Sequence, residues 1–293
     1  MKPTVYFTKE ITPASALKMF RILGKELTGK VAVKVHSGEA GNQNFLRPEF
    51  FKPVIDFVGG TVVECNTAYG GQRNTAEKHR KLMEDHGWAK YFPVDIMDGE
   101  GPDLVVQVPN GLAIKENLLG KNIKNYDSML VLSHFKGHPM GGFGGALKQL
   151  SIGCASSAGK AYIHSAAATN NPEIVWDNVA PQNTFLEAMA DAAGTVIDLF
   201  HGNIAYVSVM ANLSVDCDCC AKAEDPCMAD IGILSSLDPV ALDQACMDLI
   251  YASKDRGREH FLKRVESRNG THILEAAAHH SYGSREYSLL EVE

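Results

Sequence analysis

The run Ser128-Met-Leu-Val-Leu-Ser-His-Phe135 carries its apolar residues continuously rather than alternately, the pattern of a strand covered on both faces. A strand of that kind implies helices above and below a largely parallel sheet. The sequence upstream agrees. TVYFTKE (4–10), a helix pattern from Pro13 to Leu27, and VAVKVHS (31–37) set a strand–helix–strand rhythm. It continues with a helix from Pro48 to Val58, TVVECNT (61–67), a helix from Thr75 to His86, and the strand candidates PVDIM (93–97) and LVVQV (104–108). Downstream stand a helix from Phe185 to Phe200, the strand IAYVSVMANLSV (204–215), IGILSS (231–236), and a helix from Pro239 to Ala252, with Asp238 as N-cap and Pro239 in its first turn. The fold class is therefore α/β, with mixed or mostly parallel sheets and flanking helices.

Composition bounds the remainder. A chain of 293 residues that is 45% hydrophobic and 22% charged buries about 75% of its unfolded surface. That suits one domain over residues 1–293, in two fused lobes without a marked boundary. No repeat, low-complexity tract or linker interrupts it. The net charge of −7 supplies no excess of cations to neutralise a phosphate backbone, which excludes nucleic acid as a first reading. The opening MKPTVYFTKEI has no apolar core of signal-peptide length, and no later run has the roughly 18 apolar residues of a membrane span. The expected location is cytoplasmic, with no membrane partner.

The buried strand delivers a dense motif: His134-Phe-Lys136-Gly-His138-Pro-Met-Gly141-Gly142-Phe-Gly144-Gly145-Ala-Leu-Lys148. Glycines let a backbone approach a ligand closely, and a loop that enters a helix offers unpaired N–H groups to an anion. Lys148 falls in the first turn of that helix, where a cation opposes the helix dipole. Something negative belongs beside it: a substrate carboxylate, a phosphate or a neighbouring Asp. His134, His138 and Lys148 are the catalytic candidates. Arg47, Arg73, Lys136, Gly141, Gly142, Gly144, Gly145 and His164 are the ligand-binding ones, for a small anionic molecule. The alternative is a tight crossover whose histidines merely satisfy backbone groups. The spacing is neither a Walker loop nor a dinucleotide fingerprint.

Seven cysteines include four within eleven residues: Cys217, Cys219, Cys220 and Cys227. Crowding of that kind points to thiol, metal or cluster chemistry rather than a disulfide framework. In extended backbone the C-x-C step puts Cys217 and Cys219 on one face, with Cys227 and Cys220 as further metal ligands, for an iron–sulfur cluster or zinc. The alternative is a surface loop of unliganded thiols, their pKa values raised by Asp216, Asp218 and Asp225. Asp230, Asp238 and Asp243 are candidates for supporting the site from behind, with the N-cap role favoured for Asp238.

Three motifs in order, HFKGHPMGGFGGALKQLSIGCAS (134–156), CDCC (217–220) with a following proline, and DIGILSSLDPVALDQAC (230–246), resemble the iron–sulfur-centre protein family known as domain of unknown function 362 (DUF362). The resemblance extends to YGSREYSLLEV (282–292). Many members of that family carry an inserted ferredoxin-type module; this chain has none. A redox partner protein or a second copy of the chain are the protein partners this implies.

The order His138, Gly141-Gly142, Gly144-Gly145, Lys148, Gly153, His164 is also similar to the nickel-pincer lactate racemases. There the resemblance implies that Lys148 tethers the cofactor, His164 ligates nickel and His138 moves a proton, with Arg47-Pro48 in the place of a substrate-binding step. Gln72-Arg73-Asn74 stands where the second catalytic histidine would align, and Gln cannot act as an acid–base group. A non-catalytic ligand-binding protein on the same fold is the third reading.

Overall fold

The computed structural model describes residues 2–293. Its strands are β1 (Thr4–Thr8), β2 (Val31–Lys34), β3 (Thr61–Glu64), β4 (Val94–Ile96), β5 (Leu104–Gln107), β6 (Glu116–Leu119), β7 (Ser128–His134), β8 (Lys136–His138), β9 (Gly142–Gly144), β10 (Ile204–Met210), β11 (Gly232–Ser236) and β12 (Ser288–Glu291). The helices are α1 (Pro13–Arg21), α2 (Pro48–Val58), α3 (Ala76–Asp85), α4 (Trp88–Tyr91), α5 (Ala146–Cys154), α6 (Ser157–His164), α7 (Gln182–Leu199), α8 (Pro239–Ala252), α9 (Arg258–Ser267) and α10 (His272–His279). Eight strands form one sheet in the order β12-β1-β11-β10-β7-β2-β3-β4. From β10 through β7, β2 and β3 to β4 every pairing is parallel, whereas β11 runs antiparallel to both of its neighbours.

The run 128–135 sits where its composition puts it. All seven residues of β7 are buried at the middle of the sheet. Met129 and Val131 face a core that holds Leu147, Leu150, Phe185 and Ile250, from α5, α7 and α8. Leu130 and Leu132 face a second core with Phe20, Ile55 and Trp88, from α1, α2 and α4. A strand with a core on each side has no polar face, hence the continuous apolar run.

Several boundaries differ from the sequence pattern for local reasons. The first helix stops at Arg21 instead of Leu27, because the chain turns at Gly24 with φ +60°. The run 104–108 lies outside the main sheet, in a two-stranded hairpin with β6. The glycine-rich segment is a β8–β9 hairpin rather than an open loop. Asp238 caps α8 as expected: its carboxylate accepts the Ala241 and Ser284 N–H groups at 2.9 Å each.

Because β2, β3, β7 and β10 are parallel, their carboxyl ends open on one side of the sheet. Residues 35–39, 65–73, 135–145 and 211–220 emerge there together. This is the edge at which open α/β sheets hold their ligands.

Candidate functional site

A cavity of about 200 Å³ lies at that edge. Lys34, Glu64, Lys136, His138, Lys148 and Cys219 are among the residues that line it, and Trp176, 42% exposed, stands at its rim. About 10–15 Å³ of such space holds one water, so the cavity admits a small molecule.

The β8–β9 hairpin sets the first wall. Alternation along β8 sends Lys136 and His138 to one face and Gly137 to the other. The turn then folds back so that the N–H groups of Met140 and Gly141 donate to His138 Nδ1, at 3.2 and 2.8 Å. An Nδ1 that accepts N–H bonds leaves the ring proton on Nε2. His36, just past β2, repeats the arrangement: its Nδ1 accepts the Gly38 N–H at 3.1 Å. Burial lowers both imidazoles to about 4, so at neutral pH each is an uncharged N–H donor.

These donors face sulfur. Lys148 Nζ lies 3.2 Å from Cys217 Sγ, the Cys219 backbone N–H donates to the same sulfur at 3.4 Å, and His138 Nε2 stands 3.9 Å from Cys219 Sγ. Burial alone would raise the pKa of Cys217. The hydrogen bond from Cys219, the Lys148 ammonium and His138 together outweigh it and hold Cys217 well below an ordinary thiol. Cys219 is driven well above, chiefly because it shares that hydrogen bond. The two residues titrate as one unit with a single proton between them. The thiolate in turn keeps Lys148 above the usual lysine range against burial.

Of the acids flanking the cysteines, Asp216 acts to raise Cys220, as expected from the sequence, but at Cys217 the groups that lower the pKa prevail, and Asp216 and Asp218 are both paired. Asp218 accepts Lys136 Nζ at 2.5 Å and His134 Nδ1 at 3.0 Å, while Asp216 meets Arg264 at 3.0 Å. Cys217 and Cys219 do share a side, but through a turn closed by the Cys220 N–H to Cys217 C=O bond at 2.9 Å, not an extended strand.

Of the three negative groups expected at the start of α5, the structure has the neighbouring Asp. Buried Asp243 accepts the Ala146 and Leu147 N–H groups at 2.8 and 2.9 Å. Burial raises the Asp243 carboxyl to about 7. A Cβ on Gly145 would lie 2.3 Å from an Asp243 oxygen, so that glycine makes room for the cap. Gly142, with φ +80°, permits the hairpin turn.

The other candidates divide. His134 lines the cavity, yet Nδ1 faces Asp218 and Nε2 lies 2.6 Å from the Ala211 carbonyl, which leaves no ring nitrogen for proton transfer. Arg73 is buried against Glu39 at 3.2 Å and the Tyr69 hydroxyl at 2.7 Å. Arg47 is exposed, with its guanidinium 3.8 Å above the Phe45 ring, and does not line the cavity. His164 does line it. Its Nδ1–H donates to the Lys160 carbonyl at 2.6 Å, and burial lowers the ring to about 4, so Nε2 keeps a free lone pair. Gly144 and Gly145 line the cavity, unlike Gly141 and Gly142.

Three residues absent from the sequence-based candidates also belong here. Lys34 pairs with Glu64 at 2.9 Å and reaches Gln149 at 3.0 Å. Lys160 and His36 both line the cavity. The signal was available for two of them: a lysine inside the buried run VAVK and a histidine just past its carboxyl end.

His138, Cys217 and Cys219 offer ligand atoms that all lie within 4.8 Å of one another, close enough to hold a metal ion. Cys220 and Cys227 are outside that group, and the Cys227 thiol instead donates to the Leu213 carbonyl at 3.3 Å. The donors of a four-thiolate iron–sulfur cluster are thus not brought together. A single ion would also require the Nε2 proton of His138 to leave. Lys148, the residue that would tether a nickel-pincer nucleotide, is engaged by Cys217.

The family profile described as "Domain of unknown function (DUF362)" matches residues 31–248. The chain belongs to this family. The matched span contains the whole cavity of this DUF362 protein. Among solved structures it is similar to the lactate racemase apoprotein from Thermoanaerobacterium thermosaccharolyticum, with 15% identity and a TM-score of 0.43 over 70% of this chain and 50% of that one. A structural-genomics protein from Thermotoga maritima shares 10% identity with a TM-score of 0.45, over 92% and 59% respectively. The DUF362 chain spans half the length of the racemase. No curated protein matches it. No helix among the described residues is long and apolar enough to cross a membrane.

Proposed function

We propose that this protein binds a small anionic molecule in the cavity at the carboxyl edge of the sheet and presents to it a thiolate shared by Cys217 and Cys219. The observation that carries the reading is the 3.2 Å contact between Lys148 Nζ and Cys217 Sγ, behind a cavity wall formed by Cys219. A half-buried ammonium against a fully buried sulfur stabilises the thiolate, and the thiolate is the nucleophilic form of cysteine. His138 and His36 add uncharged N–H donors on the same side. His134 and Lys136 act as positioning residues, since they fix Asp218 and through it the turn that holds both cysteines. The chemistry is that of an enzyme with a sulfur nucleophile and a small carboxylated or phosphorylated substrate.

The test is alkylation with iodoacetamide at pH 6, with the modified residue located by peptide mass. The Cys217–Cys219 pair, which shares one low-pKa thiolate, should react much faster than free cysteine. Equal rates would remove the reading. A second reading, a metal centre, is favoured by the three donor atoms within 4.8 Å of one another. Metal analysis of anaerobically purified protein separates the two: one equivalent of zinc or iron, lost in Cys219→Ser, supports the metal and slows alkylation of the loaded protein.

A further inference from the structure

The cations of the cavity differ in what they face. Lys34 has Glu64, Arg73 has Glu39, Lys136 has Asp218, and Lys148 has the Cys217 sulfur. Each has a fixed partner at 3.2 Å or less. Lys160 does not. Its side chain lines the cavity and the residue is 6% exposed. Among the described residues it makes no ion pair; its ammonium has one hydrogen bond, to the Ala155 carbonyl at 2.6 Å. Burial lowers its pKa below the ordinary lysine value, and an ammonium with three donors and one neutral acceptor has hydrogen-bonding capacity left for a ligand that would also hold its charge.

We infer that Lys160 is the anion seat of the cavity and that the ligand is a short-chain monocarboxylate. This rests on the small-anion reading above and gives it a place and a charge. Lys160 is the one of these cations without a fixed partner, so a single negative charge placed against it completes the pairing. A phosphate monoester carries about −1.5 to −2 at neutral pH and would overfill it. The α5 N-terminus, the feature best suited to phosphate, is already closed by Asp243. The cavity volume of about 200 Å³ admits an acid of a few carbons. The carboxylate sits at the α6 wall, which leaves the remainder of the ligand toward Cys219. Lys148, the lysine with the stronger sequence signal, serves the sulfur instead.

Trp176 at the cavity rim provides the readout, since the other tryptophan, Trp88, is fully buried in the opposite core. Tryptophan fluorescence is followed while the intact protein is titrated with acetate, propionate, pyruvate and lactate, with acetamide and propionamide as uncharged matches and malonate and succinate as dianions. At least one monocarboxylate should saturate, with its amide and the dianions weaker by about tenfold or more, as loss of a charged hydrogen bond implies. Lys160→Met should remove the preference for carboxylate over amide, Lys160→Arg should keep it, and the exposed Lys81→Met should leave it unchanged. Equal binding of acid and amide, no binding of any acid, or an unchanged preference in Lys160→Met would each overturn the assignment. If Lys160→Met does not fold, the acid–amide comparison in the wild type and the Lys160→Arg titration still decide. Iodoacetamide alkylation of the Cys217–Cys219 pair reports on the thiolate separately, so a reactive sulfur with no acid preference would sink the anion seat alone.

Discussion

The two walls of the cavity are built from similar residues to opposite ends. On the sulfur wall, Lys148, His138 and His36 all direct N–H groups at the cysteine pair, and both histidines have Nδ1 occupied by backbone N–H groups. On the α6 wall, Lys160 lacks an ionic partner and His164 holds its proton on Nδ1, so that Nε2 is a free acceptor. The difference lies in partners rather than in residue type. A lysine or histidine whose hydrogen bonds are met within the protein shapes charge; one whose bonds are not met is available to a ligand.

The largest effect should come from Lys148→Met. Loss of the ammonium next to Cys217 should slow alkylation of the Cys217–Cys219 pair at pH 6 by on the order of tenfold to a hundredfold, because one pKa unit is a factor of ten in thiolate. An unchanged rate would mean that the sulfur wall is not held by charge. Next, Asp243→Ala strands two buried N–H groups at the start of α5 and should cost about 1–3 kcal/mol in urea unfolding. Asp243→Asn keeps an acceptor there and should cost less.

The same carboxylate carries a pH signature. Its folded pKa, about 7, lies above the 3.8 of an ordinary Asp, so between these values the folded protein binds the extra proton. The stability contributed by that proton is complete below about pH 4 and is lost as pH rises through 7. Wild-type protein should therefore lose stability relative to Asp243→Asn from pH 4 to 7; parallel curves would show that the carboxyl is not raised.

Smaller effects sharpen the contrast further. Trp176→Ala opens the rim and should accelerate alkylation of Cys219 a few-fold, with little change in unfolding. Cys227→Ser should leave both the alkylation rate at Cys219 and the metal content unchanged, and should shift stability by no more than about 0.5 kcal/mol. A large change in either would bring Cys227 into the site.

Legibility in the sequence followed the range of each interaction. The run 128–135, the rhythm of the first half and the Asp238 cap were readable, because periodicity and capping involve residues close in the chain. The concentration of His134 to Lys148 was readable too, and so was the pairing of Cys217 with Cys219. The partners were not. Asp243 lies about a hundred positions from the helix it caps, and the closeness of Lys148 to Cys217 depends on two strands being neighbours in the sheet. Lys160 gave no local signal, since an Ala- and Gly-rich helix with one lysine looks like any surface helix.

Sequence alone determined that this protein is α/β with a largely parallel sheet, and it singled out the glycine-rich segment and the cysteines as the candidate site. Both follow from composition and spacing, which are local. Tertiary structure decided which cation meets which anion: it gave the helix start to Asp243, Lys148 to sulfur, and left Lys160 to the cavity. Electrostatic pairing in a buried site acts over a few ångströms of space between residues far apart in the chain, and only the packed sheet sets those distances.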